Sequence, residues 1–68
     1  MNAWDDTLTP ETRLLFDAAG CIETANGPAE IVATLRHVAS RHHLGLTQPD
    51  EYAQTLKLAA ATLVEVAA

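Results

Sequence analysis

Cys21, His37, His42 and His43 are the side chains whose types could hold a metal or activate a nucleophile. Imidazole nitrogen and thiolate are preferred zinc ligands. Spacing works against that chemistry. At about 100° per residue on a helix, His37 and His42 point about 140° apart and His43 lies about 100° further round, so the three do not converge. Adjacent histidines also lack the three- or four-residue spacing of metal-binding helices. We expect no metal and no cofactor. His37 should be solvated, His42 should edge an apolar stripe, and the cluster should favour the negative end of a helix.

Nucleophilic catalysis would need Cys21 within hydrogen-bond reach of a histidine that a third group orients. No local signature supplies that arrangement. Next to Ile22 and after Gly20, Cys21 is expected to be a small core residue, and the chain is not expected to be an enzyme. The carboxylates Asp5, Asp6, Glu11, Asp17, Glu23, Glu30, Asp50, Glu51 and Glu65 are scattered. Many fall where first turns of helices are expected, and capping and dipole effects explain them there.

Three prolines mark where those helices begin, since proline is best tolerated in a first helical turn. Thr9-Pro10-Glu11 opens the first, which Gly20 should end. Asn26-Gly27-Pro28 opens the second, with Gly27 as cap. Ile31, Val32, Leu35, Val38 and Ala39 recur there at spacings of three and four, which defines one apolar face. Gly45 should close that helix in a left-handed conformation. Thr47-Gln48-Pro49-Asp50 opens the third helix, with Thr47 and Asp50 at capping-box spacing, and its stripe runs through Tyr52, Leu56, Ala59, Leu63 and Val66. Residues 20–27 are expected to connect the first two helices and to drop Ile22 into the core.

The fold expectation is all-α: one compact three-helix bundle spanning 1–68, with helices over about 10–19, 28–43 and 48–66 and an irregular segment over 1–8. Hydrophobic residues make up 49% of the chain and aromatic ones 4%, so the core is aliphatic. Chains of this size bury only roughly 60% of the surface that the unfolded chain exposes. A single core then supplies about 3–5 kcal/mol unless a disulfide, a metal or association adds to it. One cysteine forms no internal disulfide, which makes a homodimer through the third helix an expected source of stability.

Charge and flanks set the partner class. A net charge of −5 repels the phosphate backbone and favours basic proteins. The opening Met-Asn-Ala-Trp-Asp-Asp has no positive or apolar region of a signal peptide, so a cytoplasmic location is expected. The apolar stretch from Leu56 onward carries Lys57 and Glu65 and is too short to span a bilayer. On a helical wheel Leu58 and Val64 lie off the stripe of the third helix, on opposite sides. With Trp4, the one tryptophan, they are the expected partner-binding residues, because exposed apolar side chains and tryptophan mark interfaces. Phe16 should reach the core from the side or join a second surface.

Leu35-Arg36, Arg41, Gly45-Leu46-Thr47-Gln48 and Glu51-Tyr52-Ala53 together resemble the opening of phage-repressor-type helix-turn-helix domains, with one residue more between Gln48 and Ala53. That resemblance implies a nucleic-acid-binding or transcriptional accessory role with Arg36 and Arg41 as the basic face. Residues after Leu58 offer no Arg, Lys, Asn or Gln for base or phosphate contacts. The leading expectation is therefore a small acidic binding module or inhibitor of a larger, basic protein, of the kind that phages and mobile elements often encode. A structural subunit of a larger assembly is the remaining alternative.

Overall fold

The computed structural model describes residues 8–67 and contains three α-helices: α1 (Pro10–Thr24), α2 (Ala29–His43) and α3 (Pro49–Ala67). Among the described residues there is no strand. The helices form a bundle in which α1 and α2 pair most extensively and α3 packs against both. Its extents are 33 × 31 × 17 Å. Trp4 and most of the segment expected to be irregular lie outside the described residues.

α1 starts as its sequence dictates. Thr9 is extended and its hydroxyl accepts the Thr12 N–H at 3.2 Å, satisfying one of the donors that a helix start leaves unpaired. The Thr12 side chain is fully buried, its hydroxyl 2.9 Å from that of Thr9. Gly20 does not end the helix, which continues to Thr24. Glycine inside a helix costs about 1 kcal/mol, whereas burying an isoleucine side chain contributes about 2 kcal/mol. Continuing the helix places Ile22 in register with Leu15, Ala18 and Ala19, all buried. The same register turns Cys21 outward. It is exposed, contrary to the core position expected of it.

α1 and α2 terminate alike. After α1, the Asn26 N–H donates to the Glu23 carbonyl at 3.0 Å and the Gly27 N–H to the Ile22 carbonyl at 2.8 Å. After α2, Gly45 N–H donates to His42 at 3.0 Å and Leu46 N–H to Arg41 at 2.9 Å. Both are Schellman closures with a left-handed residue, Asn26 at φ 59° and Gly45 at φ 75°. Gly45 thus takes the conformation its position implies. α2 begins at Ala29, with Pro28 rather than Gly27 as the residue preceding it. The carbonyl of Pro28 accepts from Ile31 and Val32 at 3.1 and 3.2 Å.

Leu15, Ile22 and Leu35 are fully buried, joined by Val32, Val38 and the alanines at 18, 19, 39 and 59. Phe16, Ile31, Tyr52, Leu56 and Leu63 pack against them from the edges, so Phe16 reaches the core from the side. The alanines let the helices approach closely.

On α3 the buried line is Thr55, Ala59 and Thr62, which corrects a stripe centred on the large residues. Each threonine hydroxyl donates within its own helix, Thr55 to the Glu51 carbonyl and Thr62 to the Leu58 carbonyl, both at 2.8 Å. With the hydroxyl satisfied, the rest of a threonine packs as an apolar group. α3 therefore sits on the bundle through small side chains, and Leu56 and Leu63 are turned toward α1.

Candidate docking groove between α1 and α3

That rotation creates a groove of about 300 Å³. Leu15, Ala18 and Ala59 form its floor, and Leu14, Leu56, Ala60 and Leu63 form its walls. No polar side chain lines it. Leu14 is 54% exposed, and Val64, one residue past the Leu63 wall, is 71% exposed. Isolated exposed leucines are ordinary. Here the exposed Leu14 and the half-buried Leu56 and Leu63 stand on two helices around one concavity, the form in which apolar surface takes up a partner's side chains.

Of the residues expected at an interface, Val64 is exposed beside the groove and Leu58 is half-buried. The two lie about 120° apart around α3 and do not form one patch. Leu14, Ala60 and the outward edges of Leu56 and Leu63 were missed. Leu14 falls with Leu15 and Ala18 on the apolar face of α1 and so passes for a core residue, as Leu56 and Leu63 do when only large apolar positions are counted. The signal that could have found them is the threonine pair: Thr55, Ala59 and Thr62 share spacings of four and three with Tyr52 and Val66, and so describe the face that is buried.

Arg36 and Arg41, the residues of the nucleic-acid alternative, are each engaged by a carboxylate. Arg36 binds Glu23 through both guanidinium nitrogens, at 2.9 and 3.2 Å, bridging α2 to α1. Arg41 lies 3.6 Å from Glu51 and donates to the Leu46 carbonyl at 3.2 Å. The pair point about 140° apart on α2. The hydrogen bonds and charge of Arg36 hold the Glu23 carboxyl below its ordinary range and raise the Arg36 guanidinium in turn. Both groups are exposed, so the bridge contributes little to stability.

The Gly-Leu-Thr-Gln turn builds the α2–α3 corner. His42 stacks on Tyr52 with ring centroids 4.4 Å apart and planes inclined by 22°. Its Nδ1 lies 2.9 Å from the Thr47 hydroxyl, so Thr47 serves this contact rather than the capping box its spacing suggested. The Tyr52 hydroxyl is buried without a hydrogen-bond partner among the described residues. Burial, and secondarily the charge of Glu11, pushes its pKa up, which keeps the phenol neutral. His37 is exposed. Among the described residues no group of three or more His, Cys, Asp or Glu side chains is disposed to hold a metal ion. None of the helices is long and apolar enough to cross a membrane.

No family model, curated protein or solved structure matches this chain. Its site is therefore characterised by its own geometry. The α1–α3 groove is apolar, open and next to an exposed valine. The α2–α3 corner exposes Leu44 and Leu46 as well, but they sit on a turn with no apolar concavity between two helices, and the corner's hydrogen bonds and ion pair are internal.

Proposed function

We propose that the chain is a protein-binding module that seats the apolar face of a partner's amphipathic helix in the α1–α3 groove. The observation that carries this reading is the juxtaposition of Leu14, half exposed on α1, with Leu56, Ala60 and Leu63 on α3 around a concavity that has no polar lining. Leucine or isoleucine anchors spaced along one helix face suit such a groove. Asp17 on α1 and Glu65 on α3 are exposed, and with the net charge of −5 they favour a partner with Lys or Arg flanking its apolar stripe. Charge of this kind accelerates encounter and selects orientation more than it adds affinity. A module that covers such a helix withholds it from other contacts, which is how a small inhibitor of a larger basic protein would act.

Titration of the labelled chain with a synthetic amphipathic peptide, leucine on one face and lysine on the other, tests this directly. Saturable NMR shift changes at Leu14, Ala60 and Leu63 are expected, with affinity reduced at least about tenfold by Leu14→Asp, as for loss of an interface anchor. Saturable binding that maps to Leu44 and Leu46 instead, or that ignores Leu14→Asp, would reject the groove. Sedimentation of the chain alone separates this reading from the assembly-subunit alternative. A concentration-dependent dimer that Leu14→Asp dissolves would assign the groove to a second copy.

A further inference from the structure

Asn26 and Gly27 stand side by side at the α1–α2 corner, each held there by a different constraint. Residue 26 is left-handed at φ 59°, a conformation open mainly to glycine and asparagine. Residue 27 has no room for a side chain. A Cβ there would lie 2.5 Å from Ile22 Cγ2, 3.0 Å from the Ile22 carbonyl oxygen and 3.1 Å from Val66 Cγ1. Asn26 is exposed. The corner thus presents a carboxamide followed by the one residue type that leaves the next backbone nitrogen unobstructed.

We propose that Asn26 is a self-modification site gated by opening of this corner, and that its isoaspartyl product holds the corner open. The Gly27 backbone nitrogen, having lost its proton, attacks Asn26 Cγ. The N–Cγ bond forms, the Cγ–Nδ2 bond breaks, and Nδ2 departs as ammonia with the proton. Water then opens the resulting succinimide. Addition at Cγ gives aspartate, and addition at the main-chain carbonyl gives isoaspartate, with the chain rerouted through Cγ. The sum is asparagine plus water going to a carboxylate residue plus ammonia, with no oxidation or reduction.

The native corner opposes the first step. The Gly27 N–H is donated to the Ile22 carbonyl at 2.8 Å, so the nucleophile is both protonated and fixed, and it must leave Ile22 before it can approach Cγ. Local openings of this kind are governed by their own free energy, smaller than that of global unfolding. Once formed, isoaspartate adds a main-chain carbon between residues 26 and 27. The hydrogen bonds Asn26 to Glu23 and Gly27 to Ile22 cannot then both be kept. The new carboxylate also sits at the C-terminal end of α1, where the helix dipole disfavours negative charge.

The full chain, held at mildly alkaline pH in native buffer and in parallel in urea, tests both halves of the proposal by peptide mapping for isoaspartate. Asn2, the other asparagine, is followed by alanine and serves as an internal comparison. Expected is modification at Asn26 in both samples, at least about tenfold slower in native buffer, the rate following hydrogen exchange of the Gly27 amide. The purified modified chain should melt at lower temperature, while Asn26→Gly, which keeps the left-handed corner and cannot react, is unchanged by the same incubation. Asn26→Asp separates the added charge from the added carbon and should melt above the isoaspartyl form. Equal rates in the two samples, no modification in urea, or an isoaspartyl chain that melts like the unmodified one would each overturn the proposal.

Discussion

At the α1–α2 corner the left-handed residue is Asn26 and the glycine comes next; at the α2–α3 corner the left-handed residue is the glycine, Gly45, and Leu46 comes next. The backbone hydrogen bonds are the same pair in both places. Position 27 is closed to a side chain by Ile22 and Val66, whereas a Cβ at position 45 would meet nothing within 4 Å and Leu46 is exposed. One glycine is demanded by packing and the other by conformation. The difference teaches that a glycine after a helix does not reveal which constraint it serves, and that the residue before it does: an asparagine already in the left-handed role leaves the glycine free to meet a steric demand.

The sharpest way to break this comparison is Gly27→Ala. The added methyl must displace Ile22 and Val66, and overpacking of this kind costs about 3 kcal/mol, read as a fall in the urea midpoint at constant slope. A loss below about 1 kcal/mol would mean that the corner yields freely. Gly45→Ala should cost less, about 1–2 kcal/mol, because only the left-handed conformation is penalised. Gly45→Asn should recover much of it, and failure to do so would point to a contact at that corner. Gly20→Ala sharpens the contrast by reversing sign. Inside α1 with nothing near its Cβ position, alanine should stabilise by about 0.5–1 kcal/mol.

Smaller effects separate the corners by pH. Glu23, bridged to Arg36 across α1 and α2, has its folded pKa lowered. Its contribution is therefore present above the ordinary carboxylate value and lost as pH falls through the folded one. Tyr52, at the other corner, has its folded pKa raised by burial. Its contribution is intact below the ordinary phenol value and lost as pH rises past it, when ionisation favours the unfolded chain. Acid should thus loosen the first corner and alkali the second, and Glu23→Gln and Tyr52→Phe should each flatten one limb of a stability-versus-pH profile.

Helix number, order and starts were legible because proline, polar caps and apolar spacing act locally. Thr9 caps as its sequence says, and Gly45 is left-handed as its place after α2 implies. Two features depended on tertiary balance. The end of α1 turned on whether burying Ile22 outweighs a glycine inside the helix, which no local rule decides. The face of α3 turned on Thr55 and Thr62, whose hydroxyls look polar until they are tied to their own helix. That second point concealed the groove, because Leu56 and Leu63 fill the core only in a helix rotated toward its largest residues.

The floor of the groove is made by Leu15, Ala18 and Ala59, which are also members of the core, in a molecule only 17 Å across its short axis. An occupant would lie directly on the side chains that keep the chain folded. Occupancy and folding would then be linked equilibria: a ligand at a hundred times its dissociation constant adds about 2.7 kcal/mol to the folded state. For a core this thin that is a large fraction of the whole, so the melting temperature of the chain would act as a direct gauge of whether the groove is filled.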